Sequence, residues 1–187
     1  MGRDIIIPPD NTSHNSKNKS FKDIKTFKKA CEVLDINYND VNSVIEDIIK
    51  FSNSKSAAAM FKLSIIRRAL NLGQNLPFTK NSKNPLIYYP YNLCVNKNST
   101  LYKGQLNSGK MEIIGKIKVG KTECNILGVG TTCCYANLGF YGTHDELLGC
   151  ASKEIAEHFS KYFGMTITEA KYSNLEDFKI ITNYYKN

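Results

Sequence analysis

The feature that most constrains the fold of this chain is a short segment near its end, residues 149–163, with the sequence GCASKEIAEHFSKYF. Ser152 stands at an N-cap position, where a hydroxyl accepts a hydrogen bond from the first helical turn. Glu154 follows in that turn, where the helix dipole favours a negative charge. One apolar stripe then runs along the helix and consists of Ile155, Phe159, Tyr162 and Phe163. The segment therefore predicts a strand end, a cap and an amphipathic helix that packs on a core.

Three more helices are predicted in the first half of the chain. Ser20 and Asp23 have the spacing of a capping box, and apolar residues recur behind them at helical steps, which predicts a helix near 21–35. A second helix, near 41–52, places on one face Val44, Ile45, Ile48 and Ile49. The third, near 57–72, is the most apolar, and Gly73 stands at its stop position. Together they predict a small helical bundle.

The pattern becomes that of a β-sheet after Pro77. The run at 86–91 favours a strand, but Pro90 restricts it to a sheet edge or a strand end. Other segments with strand character are 101–103, 111–118, 125–129 and 132–140. A second helical piece near 165–171 continues the Ser152 helix, and a short last helix is expected within 174–187.

These elements predict an α+β fold, in which an N-terminal three-helix region is followed by a small antiparallel sheet with a packing C-terminal helix. The chain then divides into three parts. Residues 1–19 form a flexible tail with an apolar docking peptide, residues 20–80 a helical region, and residues 81–187 an α+β domain.

The first nineteen residues contain the docking peptide. Residues 10–19 are polar and aperiodic, which is typical of a flexible leash. Ahead of them lies an extended apolar peptide that cannot fold alone, made of Ile5, Ile6, Ile7, Pro8 and Pro9. Such a peptide can add to a partner's sheet edge or enter its groove, or it can pack back on its own domain. Its apolar core is too short for a secretory signal, and no run in the sequence is long enough to span a bilayer, so we expect no membrane partner.

The chain is basic, with 25 Lys+Arg against 17 Asp+Glu and a net charge of +8. Most of the excess lies in residues 1–85, and four lysines lie close together along the first predicted helix: Lys22, Lys25, Lys28 and Lys29. A basic region of this kind hints at nucleic acid or an acidic protein surface. A solvated basic face explains the same pattern and is the interpretation that charge alone favours.

The six cysteines favour buried thiols over disulfides or metal ligands. Cys133 and Cys134 are adjacent on a predicted strand and therefore point to opposite faces. The sequence has no C-x-x-C, and its three histidines lack zinc-finger spacing. Reduced thiols fit synthesis in a bacterial cytoplasm, and we expect no metal and no cofactor.

Two local patterns could carry chemistry, and both are weak. His144 stands beside two carboxylates in residues 143–146, but consecutive loop residues do not converge on one point. Residues 115–122 spell G-x-x-x-x-G-K-T, yet the interval between the glycines is predicted as a strand and the residues after it as extended, whereas a phosphate loop needs a loop and then a helix. We therefore expect no enzymatic activity.

Three tyrosines in the 86–91 run are candidate contact residues: Tyr88, Tyr89 and Tyr91. Tyrosine is favoured at protein interfaces because it couples a large apolar ring to a polar tip, and its ring can stack on sugars or bases. The same side chains can fill the core between strand and helix and its rim.

Four segments of the chain resemble small proteins of tailed phages and prophages of the gut Bacteroidetes, including the crAss-like phages. They are residues 24–34, 59–71, 88–91 and 149–163. Within the opening helix this chain departs from the family pattern twice, with Lys29 where Asp is expected and Asp35 where Gly is expected. The resemblance spans roughly residues 20–165 and implies a bacteriophage context. Its motifs are caps, core stripes and an aromatic strand, so it supports common descent better than any activity.

Three functions fit these observations. The first is a non-enzymatic virion structural protein: a capsid-associated head fibre, decoration or connector subunit. It would be made in the host cytoplasm, anchored to other phage structural proteins by its N-terminal peptide, and act as a homo-oligomer. The alternative is a basic nucleic-acid-binding or host-takeover accessory protein. The third and least favoured is an enzyme that uses the loops between Gly120 and Glu146. We take the first as the expectation.

Overall fold

The structure, a computed structural model, describes residues 20–72, 86–96, 98–135 and 148–185. Its helical segments are a 3₁₀ turn at Phe21–Asp23, α1 (Phe27–Val33), α2 (Tyr38–Ser52), α3 (Lys55–Leu70), α4 (Thr100–Asn107) and α5 (Lys153–Tyr172). Its strands are β1 (Leu86–Asn96), β2 (Glu112–Val119), β3 (Thr122–Tyr135) and β4 (Lys179–Asn183). Among the described residues, no helix has both the length and the apolar character needed to cross a membrane.

The four strands form one antiparallel sheet in the order β1-β3-β2-β4. β2 and β3 are joined by a tight turn at Gly120, whose φ of +57° suits a residue without a Cβ. In the described part of the chain, helices α1, α2 and α3 precede the sheet, and α5 packs against it. This arrangement confirms the predicted α+β fold.

Helix α5 forms as its sequence predicts. The Ser152 hydroxyl accepts a hydrogen bond from the Ile155 N–H at 3.3 Å. Along the stripe, Phe159 and Phe163 are fully buried and Tyr162 lies at the rim. The helix continues without a break through Gly164 to Tyr172, so the two predicted helical pieces are one element.

The N-terminal helices and α5 share one hydrophobic core. The cluster draws on α1, α2 and α3 through side chains such as Phe27, Ile45 and Leu63, and on α5 through Phe159 and Phe163. The Ser56 hydroxyl on α3 donates a hydrogen bond to the Ala170 carbonyl on α5. The predicted boundary near residue 80 falls outside the described residues and remains a prediction.

A buried serine holds α5 close to the sheet. The Ser160 hydroxyl accepts the Val129 N–H at 2.8 Å and donates to the Tyr91 carbonyl at 3.0 Å. Asn92 donates to the same hydroxyl at 3.1 Å, from the irregular step in the β1 register. Val129 adopts a φ of +73°, which a β-branched residue rarely does, so this contact stabilises a strained strand.

Small residues make this close approach possible. A Cβ placed on Gly164 of α5 would lie 2.3 Å from the Ile114 Cδ1 and 2.5 Å from the Asn92 Nδ2. Across the sheet, a Cβ on Gly128 would lie 2.7 Å from the Ile114 Cγ2. Glycine is therefore needed at the contact between α5 and the sheet.

Several predicted elements differ in the structure. The segment predicted as a strand at 101–103 is helix α4, which begins after Ser99, whose hydroxyl accepts the Leu101 N–H. The helix expected within 174–187 is wrong, because Lys179–Asn183 pairs with β2 as β4. The strands predicted at 125–129 and 132–140 are one strand as far as Tyr135.

The first two helices also differ from their predictions in detail. Ser20 caps only the 3₁₀ turn, and α1 begins later, with Thr26 as its N-cap. On α2, the predicted apolar face is divided, because Ile45 is 5% exposed whereas Val44 is 45% exposed. The turn after α1 places Asp35 at a φ of +55°, the left-handed region that favours glycine.

Candidate interaction surfaces

The three predicted contact tyrosines do not share one surface. Tyr88 and Tyr89 are half-buried and pack against the main core. Tyr88 is fixed further by two backbone hydrogen bonds with Cys150, of 2.8 and 3.2 Å. Tyr91 is 43% exposed and lies beside Gly130 and Met111, on the sheet face away from α5. Of the three tyrosines, Tyr91 therefore has the largest exposed surface with which to contact a partner.

The other predicted docking residues, Ile5, Ile6, Ile7, Pro8 and Pro9, lie outside the described residues, as does the 143–146 cluster with His144. Residues 115–122 lie inside the hairpin formed by β2 and β3. Because both flanks of Gly120 are strands, this segment lacks the strand–loop–helix architecture of a phosphate loop.

The four lysines of the first predicted helix are exposed but do not act as one unit. Lys22 lies in the 3₁₀ turn, and Lys28 and Lys29 lie on α1. Lys29 forms an ion pair of 3.1 Å with Glu32 of the same helix. Lys25 places its Nζ 5.5 Å from the centre of the Tyr162 ring on α5, a cation–π distance.

An aromatic row along α5 was not predicted from the sequence. Its rings are Phe21, His158, Tyr162 and Tyr185, with successive centroid distances of 5.6, 4.5 and 5.3 Å. Only the i,i+4 pair of His158 and Tyr162 is visible as a local signal. The other two rings come from the start and the end of the described chain, so no sequence window contains the row.

His158 connects the row to the N-terminal segment. Its Nε2 lies 2.8 Å from the Ile24 carbonyl oxygen, so this nitrogen carries a hydrogen and donates. Burial lowers the pKa of His158 below its ordinary value of 6.5, the hydrogen bond to Ile24 opposes this, and the charge of Lys25 adds to the lowering. The neutral ring therefore acts as a tie between α5 and the chain ahead of α1.

At the Tyr185 end of the aromatic row, an ion pair and the phenol hydroxyl share one carboxylate oxygen. The Lys161 Nζ lies 2.9 Å from the Glu112 Oε1, and the Tyr185 hydroxyl donates to the same oxygen at 2.6 Å. Partial burial opposes ionisation of Glu112, but these two hydrogen bonds prevail and lower its pKa. The arrangement fastens the chain end after β4 to both α5 and β2.

An open pocket of about 340 Å³ lies beside the aromatic row. The charged residues that line it are Lys22, Lys25, Lys161, Glu154 and Glu157. Lys161 and Glu157 are already paired with Glu112 and Lys153 respectively. The remaining charges are of both signs, so the pocket has no strong preference for an anion.

Four cysteines are free thiols in the structure: Cys31, Cys94, Cys124 and Cys150. Cys31 and Cys150 are buried, and burial raises the pKa of Cys150 to about 12. Cys94 and Cys124 are half-buried on neighbouring strands. Within the described ranges, no three side chains of the metal-binding types come together.

Helix α2 exposes a second apolar stripe in addition to its buried face. The α2 stripe consists of Val44, Ile48 and Phe51, at positions i, i+4 and i+7 of one helix. Phe51 is 82% exposed and Val44 45% exposed, whereas Ile48 is half-buried. The sequence shows the helical spacing of the apolar residues in α2 but not which of them the core covers.

No protein-family model, curated protein or solved structure matches this chain at a significant level.

Proposed function

We propose that this chain is a non-enzymatic structural protein of a tailed-phage virion: a capsid-attached head fibre, decoration or connector subunit. Its N-terminal peptide, residues 5–9, anchors it to the capsid. The described body then presents surfaces to other structural subunits or to further copies of the same chain. Function in this proposal means assembly, without a chemical step.

The observation that supports the proposal is the α2 stripe. Transfer of a large apolar side chain from water into an interface stabilises an assembly by about 1.5–3 kcal/mol. Phe51, at 82% exposure, has nearly all of that burial still to gain, and Val44 lies on the same stripe. An apolar stripe at i, i+4 and i+7 is the form in which one helix docks into a groove or onto another helix.

The proposal has a direct test in mass spectrometry of phage particles purified on a density gradient. A structural subunit is expected at tens of copies or more per particle, measured against the major capsid protein. Absence from particles, together with abundance in infected cells, would reject the virion role. That outcome would favour the alternative, a nucleic-acid-binding or host-takeover protein.

A second measurement addresses the oligomer. Analytical ultracentrifugation of the purified chain would show self-association if the α2 stripe joins identical copies. Replacement of Phe51 and Val44 by serine is then expected to give a monomer. If the wild type is a monomer and is still present in particles, the partner of the α2 stripe is a different capsid protein.

A further inference from the structure

The described residues cover one face of the sheet only in part. On the α5 side, Ile117 and Ile126 are buried against Met165. On the opposite side, α4 packs mainly on β1, through a cluster that includes Tyr102 and Leu106. No element among residues 20–72, 86–96, 98–135 and 148–185 therefore covers the β2 and β4 part of that opposite face.

Alternation and register identify the residues on this open part. Because Ile117 faces α5, its neighbours Lys116 and Lys118 face the other way. On β4, Thr182 is the partner of Lys116 and Lys179 is the partner of Lys118. Lys118 and Lys179 are both exposed, and Lys116 is half-buried.

Tyr184 extends this surface at the end of β4. Asn183 pairs with Gly115, and a Cβ added to Gly115 would meet Met165. This pair of residues therefore faces the α5 side of the sheet. The Tyr184 N–H donates to the Ile114 carbonyl at 3.0 Å, so the ladder reaches this residue and alternation places its ring on the open face. The ring is 54% exposed. We name this surface the basic strip: Lys116, Lys118, Lys179, Thr182 and Tyr184.

The charges of the basic strip are not explained by folding. Like charges directly opposite each other on a sheet are destabilising, and Lys118 and Lys179 are such a pair. Glu123, opposite Lys118 on β3, offsets part of this cost. The ion pairs found in the described part of the chain involve other lysines: Lys29, Lys153 and Lys161. A lysine on an edge strand protects against aggregation, which accounts for Lys179, but Lys116 and Lys118 lie on an inner strand.

We propose that the basic strip binds single-stranded nucleic acid. The lysines hold backbone phosphates, and Tyr184 stacks on a base, the combination by which sheet surfaces bind single strands. Lys116 and Lys118 are about 6.6 Å apart along β2, and the strip from Lys179 to Tyr184 is about 16 Å long at roughly 3.3 Å per residue. In a duplex, the base faces are stacked on neighbouring bases and are not accessible to Tyr184. The proposal does not depend on the virion role, because it concerns a different surface.

Fluorescence anisotropy with a labelled oligothymidine tests the proposal on the full chain. Three neutralised phosphates predict a slope of about −2 for log K against log salt concentration. A variant with Lys116, Lys118 and Lys179 each changed to Gln is expected to bind at least tenfold more weakly and to lose most of that slope. Tyr184→Ala is expected to weaken binding about fivefold or more while the slope stays unchanged.

A matched control distinguishes binding at the basic strip from a general effect of the protein's net charge. Changing Lys22, Lys25 and Lys28 to Gln removes the same charge from the first helical segments and is expected to leave affinity nearly unchanged. Circular dichroism and urea midpoints verify that every variant is folded. Loss of binding in this control and not in the strip variant would reject the strip in favour of the first lysine cluster. Equal binding of a duplex, or displacement by polyglutamate at equal charge, would reject single-stranded nucleic acid as the ligand.

Discussion

At the scale of single residues, His158 shows how packing changes the chemistry of a side chain. Its folded pKa is lowered, so the unfolded chain binds a proton more readily at pH values below 6.5. The stability that this residue contributes is therefore fully present above pH 6.5 and is lost as the pH falls towards the folded pKa. Asp23 favours the cation and Lys25 and Lys161 oppose it, but burial dominates.

Replacement of His158 by Gln tests this linkage, because Gln can still donate to Ile24 but does not titrate. Between pH 7.5 and pH 5.5, the urea midpoint of unfolding is expected to fall less in the variant than in the wild type. The comparison cancels the contribution of all carboxylates common to both proteins. Identical losses in the two proteins would show that His158 is not a source of the pH dependence.

Phe51 belongs to the same scale. Because it is 82% exposed, Phe51→Ser is expected to change the free energy of unfolding by less than about 0.5 kcal/mol. Incorporation into particles is expected to fall at least tenfold, as measured by quantitative mass spectrometry. Leu175→Ser is the matched control, since Leu175 is 48% exposed and lies outside α2. Equal incorporation of all three proteins would remove the α2 stripe from the assembly interface.

At the scale of elements, the contact between α5 and the sheet depends on Gly164. Gly164→Ala gains helix propensity of about 1 kcal/mol, but its methyl group would lie 2.3 Å from Ile114 and 2.5 Å from Asn92. Overpacking of this kind costs about 1–3 kcal/mol or more, so we expect net destabilisation in urea unfolding. In α4, a Cβ added to Gly104 would have no other atom within 4 Å. Gly104→Ala is therefore expected to stabilise the protein by up to about 1 kcal/mol. A Gly164→Ala protein as stable as the wild type would show that α5 can move off the sheet without cost.

The elements also show what the sequence can and cannot predict. Helix α5 was predictable because a cap and a long stripe agree over its first half. Strand β4 was not, since its state depends on pairing with β2, more than 50 positions earlier. Residues 101–103 have strand propensity, but the Ser99 cap and the partial burial of Leu106, which packs from α4 onto the sheet, outweigh the propensity of three residues. The aromatic row and the basic strip each join distant segments, so only fragments of them are visible in the sequence.

At the scale of the whole molecule, the N-terminal peptide and the body have separate roles in the proposed assembly. Deletion of residues 1–10 is expected to leave the urea midpoint unchanged, because the described core begins at Ile24. The same deletion is expected to abolish incorporation into particles. Normal incorporation of the truncated chain would reject the anchoring role of Ile5, Ile6 and Ile7.

The shared core also has a consequence for synthesis. Ser56 and its partner Ala170 are 114 positions apart, and the N-terminal helices complete the burial of their apolar faces only when α5 is present. At about 5–20 residues per second, a ribosome needs roughly 6–23 s to add those residues. During that interval the nascent helices expose apolar surface that chaperones recognise. A ribosome stalled at residue 145 is therefore expected to carry α1, α2 and α3 in a protease-sensitive state.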